Sequence, residues 1–210
     1  MDGFTTESHK RIAKLLKKPL PGRHAQLKMA PVLRPEKASD REAREAGVLI
    51  LLYPRDGQLY TVLIQRAVYQ GVHSGQISFP GGKQEPGDHD LVHTALRETH
   101  EEVGIPPKQI EVLGKLTPLY IPVSNHMVQP VIGTLADPPR MVPDEIEVDR
   151  IYEIRLRGLM EPGCLIQNET ILVNNRKIQA PFFRYEGLRI WGATAMILSE
   201  FLEIYRESDF

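Results

Sequence analysis

The sequence predicts an α/β (α+β) fold, a mixed β-sheet packed by helices. Three observations lead there. Apolar runs of strand length recur between turn residues, two stretches carry helical periodicity, and the two kinds of element do not alternate regularly. A shift in composition near residue 40 sets off an N-terminal arm. The expected organisation is therefore residues 1–40 as a helix and linker packed on a main domain formed by 41–210.

Over residues 1–36 there are eight Lys or Arg against three acids, and Phe4, Ser8, Ile12, Leu15 and Leu16 fall at helical spacing. That pattern suits an amphipathic helix laid on the main domain. A transit peptide is the competing reading; Asp2 and Glu7 count against it, because such peptides are poor in acids. Pro19, Pro21, Pro31 and Pro35 then mark a loop or extended connection. The continuous apolar run 47–53 has the character of a strand buried on both faces, and Asp56-Gly57 turns it into a hairpin partner at 59–65. A Gly-rich stretch, 71–87, precedes a helix over 90–103, which Gly104 closes with Pro106 and Pro107 beyond it. Further strands are expected at 110–119, 128–135, 148–154, 164–173 and 177–184. A last helix at about 193–206 shows Thr194, Leu198, Phe201, Leu202 and Tyr205 on one face.

Composition excludes several functions. The 210 residues carry 26 Lys plus Arg and 27 Asp plus Glu, a formal charge of -1, which argues against general nucleic-acid binding. Cys164 is the single cysteine, so neither an internal disulfide nor a thiolate zinc site is available, and a reducing, cytoplasmic setting is expected. The longest apolar runs are strand-sized, so no membrane span is expected. The final residues, Glu207-Ser208-Asp209-Phe210, carry no peroxisomal or endoplasmic-reticulum address.

The chemistry concentrates in the helix at 90–103. At 100° per residue, with Glu98 at zero, Glu102 lies at about 40° and Glu101 at about −60°, so three carboxylates share one side. Val92, Leu96, Thr99 and Val103 form the buried stripe on another. Like charges at this spacing destabilise a helix, and the macrodipole disfavours anions near its C-terminal end. A bound cation would offset both effects, and hard oxygen ligands suit Mg²⁺ or Mn²⁺. A solvated acidic face is the plainer reading of the spacing alone. His89, His93 and His100 lie nearly opposite the carboxylates and are not placed to share a metal with them. Cys164 reads as a packed thiol, and Trp191, Phe182 and Phe183 read as core.

Glycines ahead of the helix strengthen the cation reading, since Pro80-Gly81-Gly82 lets backbone N–H groups approach an anion. With this loop at a fixed distance before Arg97, Glu98, Glu101, Glu102, Gly104 and Ile105, the chain resembles the Nudix hydrolases. Their signature is Gly, five residues, Glu, seven residues, Arg-Glu, apolar, any, Glu-Glu, any, Gly, apolar. Thr99 stands where an apolar residue is usual. Gly82 to Arg97 spans one position more than the common pattern, and His89 stands where the first Glu is usual. That expansion is similar to the coenzyme A-cleaving branch. Leu63-Ile64-Gln65-Arg66-Ala67, Gly75 and Phe79-Pro80-Gly81-Gly82 look like the same branch's additional signature, with Gly71 replacing a usual Arg. The stretch from Ile190 to Ala195 is similar to that group's C-terminal helix entry, so the resemblance covers roughly residues 46–206.

The resemblance implies a Nudix-type α/β/α sandwich and metal-dependent cleavage of the pyrophosphate of coenzyme A (CoA) or acyl-CoA into 3′,5′-ADP and 4′-phosphopantetheine. ADP-ribose or another nucleoside diphosphate derivative is the alternative substrate, and a non-catalytic nucleotide-sensing module is the alternative class. Glu98 and Glu102 would hold Mg²⁺ or Mn²⁺, with Glu101 a further ligand or the base and Arg97 orienting it. Arg66, Gly75, Phe79, Gly81 and Gly82 would line the substrate site. Glu145 is the candidate for a distant acidic ligand. The expected partner is a small nucleotide, not nucleic acid or membrane, and a homodimer is left open. Because the carboxylate face is not expected to be core, Glu102→Gln is expected to lower kcat with the fold intact.

Overall fold

The computed structural model describes residues 3–31, 42–68, 74–166, 170–173 and 176–208. Helices α1 (Gly3–Leu15) and α2 (Gly22–Leu27) precede the hairpin of β1 (Arg44–Arg55) and β2 (Gln58–Arg66). The short strands β3 (Ile77–Ser78) and β4 (Gly81–Lys83) lead into α3 (Leu91–Val103). Then come β5 (Glu111–Lys115), β6 (Leu119–Ile121), β7 (His126–Thr134) and β8 (Val148–Arg155). The chain closes with β9 (Leu165–Ile166), β10 (Thr170–Val173), β11 (Arg176–Gln179), β12 (Phe182–Tyr185), β13 (Leu188–Trp191) and α4 (Gly192–Ser208).

The main sheet runs β3-β2-β1-β7-β5, with β4 added to β1, β6 to β7 and β8 to β2. It is mixed, because β1 and β7 pair in parallel from Arg44↔His126 to Leu52↔Thr134 while β1 and β2 are antiparallel. Side chains alternate across the sheet. Leu49, Leu51 and Tyr53 join Val62, Ile64 and Val131 under Ala95 and Val103 of α3. Ile50 and Leu52 join Leu59, Leu63 and Ile132 under Ile12 of α1 and Leu198 and Phe201 of α4. The apolar run in β1 is thus buried on both faces, each such side chain contributing about 1.5–3 kcal/mol. Helices on both faces make this the expected α/β/α sandwich. Helix α3 lies tight on β1, because a Cβ at Gly47 would collide with the Leu91 carbonyl oxygen. That close approach places α3's carboxylates near the sheet.

The strand at 110–119 is interrupted. A bulge falls between Val112 and Gly114, pairing to β7 stops after Lys115, and it resumes at Leu119. The strand at 177–184 divides into β11 and β12 at Ala180-Pro181, where proline has no N–H to pair. Part of the strand at 164–173, residues 167–169, lies outside the described residues, as do Pro35, Gly71 and the junction at residues 40 and 41. Helix α2 forms within what reads as a proline-marked connection.

The arm is tied to the rest of the chain by polar contacts. The fully buried Glu200 carboxylate of α4 accepts from the Gly22 N–H (3.2 Å), the Thr117 N–H (3.2 Å) and the Gln26 side-chain amide (2.8 Å). Lys28 and Lys18 add exposed ion pairs to Glu203 and Glu207 of α4. No helix among the described residues is long and apolar enough to cross a membrane.

Candidate active site

Helix α3 begins at the Asp90 N-cap, whose carboxylate accepts the His93 N–H at 2.8 Å, and it ends at Gly104 in left-handed conformation. Its buried stripe contains Thr99, fully buried, where an apolar residue is usual. The Thr99 hydroxyl donates to the Ala95 carbonyl at 2.6 Å, which removes the cost of burying it.

The three glutamates do not share one solvent-facing row. Glu102 is 1% exposed and sits in the seam between α3 and the sheet. Its Oε1 accepts from Arg66 at the end of β2 (2.9 Å), and its Oε2 accepts the Gly81 N–H (2.8 Å). The expectation that its face lies outside the core is therefore corrected: close packing over Gly47 rolls that edge of the helix inward. Burial pushes the Glu102 carboxyl up to about 7, opposed by Arg66 and the Gly81 N–H and reinforced by the charge of Glu98. Burial also raises Glu98, against the pull of Arg97. Glu98 lies against Gly82, where a Cβ would collide with its carboxylate. Glu101 faces solvent and holds Arg97 at 2.7 Å.

Arg97 is the hub. It forms ion pairs with Glu98 (3.0 Å) and Glu101, donates to the Lys83 carbonyl (3.1 Å), and makes a two-pronged pair with Asp88 at 3.0 Å on each prong. The Asp88 side chain is 1% exposed and also accepts from the Thr94 hydroxyl and the Glu85 N–H. The Arg97 guanidinium, followed by these donors, holds its carboxyl well below the usual carboxylate range.

Sequence reasoning missed Asp88. Counting back from Arg97 points to His89, whereas counting forward from Gly82 by the signature's own spacing reaches Asp88. The structure places Asp88 on Arg97. His89 is exposed, its ring 5.2 Å from that of His93, and His93 Nδ1 lies 2.9 Å from Asp88.

Of the residues expected to line the substrate site, Arg66, Gly81 and Gly82 meet the carboxylates directly. Gly75 has φ +66° beside Val68, while Phe79 is buried in the core on the α4 side. Glu145 is exposed in the loop before β8, and no hydrogen bond or ion pair joins it to the site among the described residues. Glu147 in the same loop reaches Arg66 at 3.8 Å. The loop is fixed by the Asp144 N–H donating to the Glu102 carbonyl and by Asp144 accepting from the N–H groups of 146 and 147.

The donors suit a divalent cation in kind. Glu98 and Glu102 flank Gly81 and Gly82 of β4 with hard oxygens, and the cradle at Gly82 leaves room for nothing but hydrogen beside Glu98. Three such groups do not converge on one point among the described residues, and Arg66 and Arg97 neutralise the carboxylates instead.

A family model described as the NUDIX domain matches residues 43–180. The chain is a Nudix hydrolase. The Nudix hydrolase NudL of Pectobacterium atrosepticum, itself named uncharacterized, is 35% identical over 179 residues, covering 83% of this chain and 88% of the relative. The human mitochondrial coenzyme A diphosphatase NUDT8 is 36% identical over 148 residues, 70% of this chain, which spans 61% of that protein's length. A MutT/nudix family protein from Enterococcus faecalis shares the fold at TM-score 0.50 and 17% identity, covering 82% of this chain and 66% of that one. Nudix hydrolases are pyrophosphatases that act on small nucleotide substrates with divalent metal ions, and the carboxylate helix of this hydrolase lies within the matched residues.

Proposed function

We propose that this Nudix hydrolase cleaves the pyrophosphate of CoA or acyl-CoA, giving 3′,5′-ADP and the (acyl-)4′-phosphopantetheine. The observation that carries the substrate is the 36% identity to a coenzyme A diphosphatase. Arg66 and Gly81, which hold the Glu102 carboxylate, belong to the set Arg66, Gly75 and Phe79-Pro80-Gly81-Gly82 that resembles the coenzyme A-cleaving branch, and this supports it.

Glu98 and Glu102, with Glu101 beside them, would hold Mg²⁺ or Mn²⁺. The bound cation would neutralise phosphoryl oxygens and lower the pKa of an attacking water. Arg97 keeps Glu98 and Glu101 in place, and Asp88 keeps Arg97 in place. Only one oxygen of Glu101 is held by Arg97, and its exposure leaves the other open to accept a proton from water. Arg66 balances the buried charge of Glu102 and stands at the substrate side of the seam. Glu147 reaches that seam from the loop before β8 and joins Glu145 as a candidate for the distant acid.

Turnover of CoA, acyl-CoAs, ADP-ribose and dinucleotides with Mg²⁺ or Mn²⁺ tests the reading. CoA or acyl-CoA is expected to give the highest kcat/KM, with 3′,5′-ADP as product. Preference for ADP-ribose would reassign the substrate, and no turnover of any member would point to a sensing module.

A further inference from the structure

The entry to α3 holds two imidazoles that the carboxylate seam does not use. His89 precedes the Asp90 N-cap and His93 follows it, and both side chains are exposed. Their ring centres lie 5.2 Å apart, with the planes tilted by 49°. Among the described residues His89 has no hydrogen bond or ion pair, only this ring contact.

Two carboxylates fix the arrangement. Asp90 accepts the His93 backbone N–H at 2.8 Å, which sets the turn of chain between the two rings. Asp88 Oδ1 lies 2.9 Å from His93 Nδ1. An ionised carboxylate can only accept, so Nδ1 of a neutral His93 carries the proton and its Nε2 lone pair is left for another partner. Asp88 is itself held still by Arg97, by the Thr94 hydroxyl and by the Glu85 N–H. The His93 ring is thus oriented by a rigid acceptor, as a carboxylate behind a metal-binding histidine orients that ring.

Zinc–nitrogen bonds of about 2.1 Å meeting at a tetrahedral angle put two imidazole ring centres about 5 Å apart. His89 and His93 already stand at that separation. Imidazole nitrogens favour Zn²⁺, Ni²⁺ and Cu²⁺, whereas the oxygens of Glu98 and Glu102 suit Mg²⁺ or Mn²⁺, so the two places select different ions. The macrodipole disfavours a cation at a helix N-terminus, and the Asp88 and Asp90 carboxylates beside the rings oppose that effect. We propose that His89 and His93 form a transition-metal site separate from the carboxylate seam, binding Zn²⁺ through one nitrogen of each ring. No third protein ligand joins them among the described residues, so water fills the remaining positions. Asp88 Oδ1 also accepts from Arg97 Nε at 3.0 Å, so the oxygen behind the zinc ligand is one that anchors Arg97.

The test titrates the full-length, untagged protein calorimetrically with Zn²⁺ in excess Mg²⁺, which occupies the hard oxygen ligands. Wild type is compared with His89→Gln, His93→Gln and Glu98→Gln. Wild type is expected to bind Zn²⁺ with an affinity that falls about tenfold or more in each histidine variant and holds in Glu98→Gln. An isotherm that survives either histidine variant overturns the site, because a chelate needs both rings. Loss in Glu98→Gln with retention in the histidine variants assigns the zinc to the carboxylates and overturns it too, as does a wild type that binds none. Imidazole ¹⁵N resonances of wild type carry the test should a variant not fold. Zn²⁺ is expected to move those of His89 and His93 and to spare His100, which shares the helix. Equal movement of all three, or of none, overturns the site. Neither measurement involves turnover, so the result stands whatever substrate the carboxylate seam takes.

Discussion

Asp88 and Arg97, nine residues apart, face each other in a two-pronged ion pair whose acidic partner is almost completely buried. Everything Arg97 does for Glu98 and Glu101 depends on that anchor. Asp88→Asn keeps the shape and the acceptor for Thr94 but removes the charge. It is expected to lower kcat by about 10–10² through misplaced carboxylates and to cost about 1–3 kcal/mol in stability. Asp88→Glu should recover part of the rate. A kcat within twofold of wild type in Asp88→Asn would refute the positioning role.

Because the folded state holds the Asp88 carboxyl below its ordinary value, its contribution to stability is fully present above the unfolded pKa. That contribution drains away as pH falls below it. Acid denaturation of wild type should therefore be steeper below about pH 4 than that of Asp88→Asn. Thermal melts across pH 2–6 measure the difference.

Glu102 runs in the opposite direction. Its folded value of about 7 lies above the ordinary 4.5, so metal-free folded protein binds the extra proton between those limits. The stabilisation is fully present below about pH 4.5 and is lost as pH rises through about 7. Metal-free wild type should thus lose Tm relative to Glu102→Gln between pH 5 and 8. Mg²⁺ competes with that proton, so the Mg²⁺-induced rise in Tm should be larger at pH 8 than at pH 6. Equal metal shifts at the two pH values would count against Glu102 as a ligand.

Glu102→Gln should lower kcat by on the order of 10²–10⁴. Its fold should survive for a different reason from the one the helical wheel suggested. Glutamine can still accept the Gly81 N–H and relieves the seam of a buried anion, although Arg66 loses its ion pair with this side chain. Circular dichroism and single-turnover kinetics on the same preparation separate folding from chemistry.

Gly82→Ala drives a methyl group into the Glu98 carboxylate. The expected result is about a 10²-fold loss of kcat and about 1–3 kcal/mol of stability. Gly87→Ala serves as a control, because a Cβ there meets no neighbouring atom.

Much of this was legible in the residues. The apolar run of β1, the capped helix α3 and the carboxylate spacing declared themselves because each rests on local periodicity or on cap chemistry. Two things did not. The burial of Glu102 depends on how closely α3 approaches β1 at Gly47, a tertiary distance that a helical wheel does not contain. The role of Asp88 was hidden by a one-residue expansion, since counting from one end of the motif gives His89 and from the other Asp88. Helix α2 was obscured by the prolines on either side of it. The short strands β3 and β4 hold too few residues to show a period.

The buried Glu200 carboxylate has a consequence for where this enzyme begins and ends. The match to the family model stops at residue 180, yet the anion sits beyond it in α4, held by amides from α2 and from Thr117. Trimming the protein to the matched span would strip α1, α2 and α4 from one side of the sheet and discard both the anion and two of its three donors. The span of the family model and the unit that can fold are therefore expected to differ, the second reaching outward at both ends to close a single knot of hydrogen bonds.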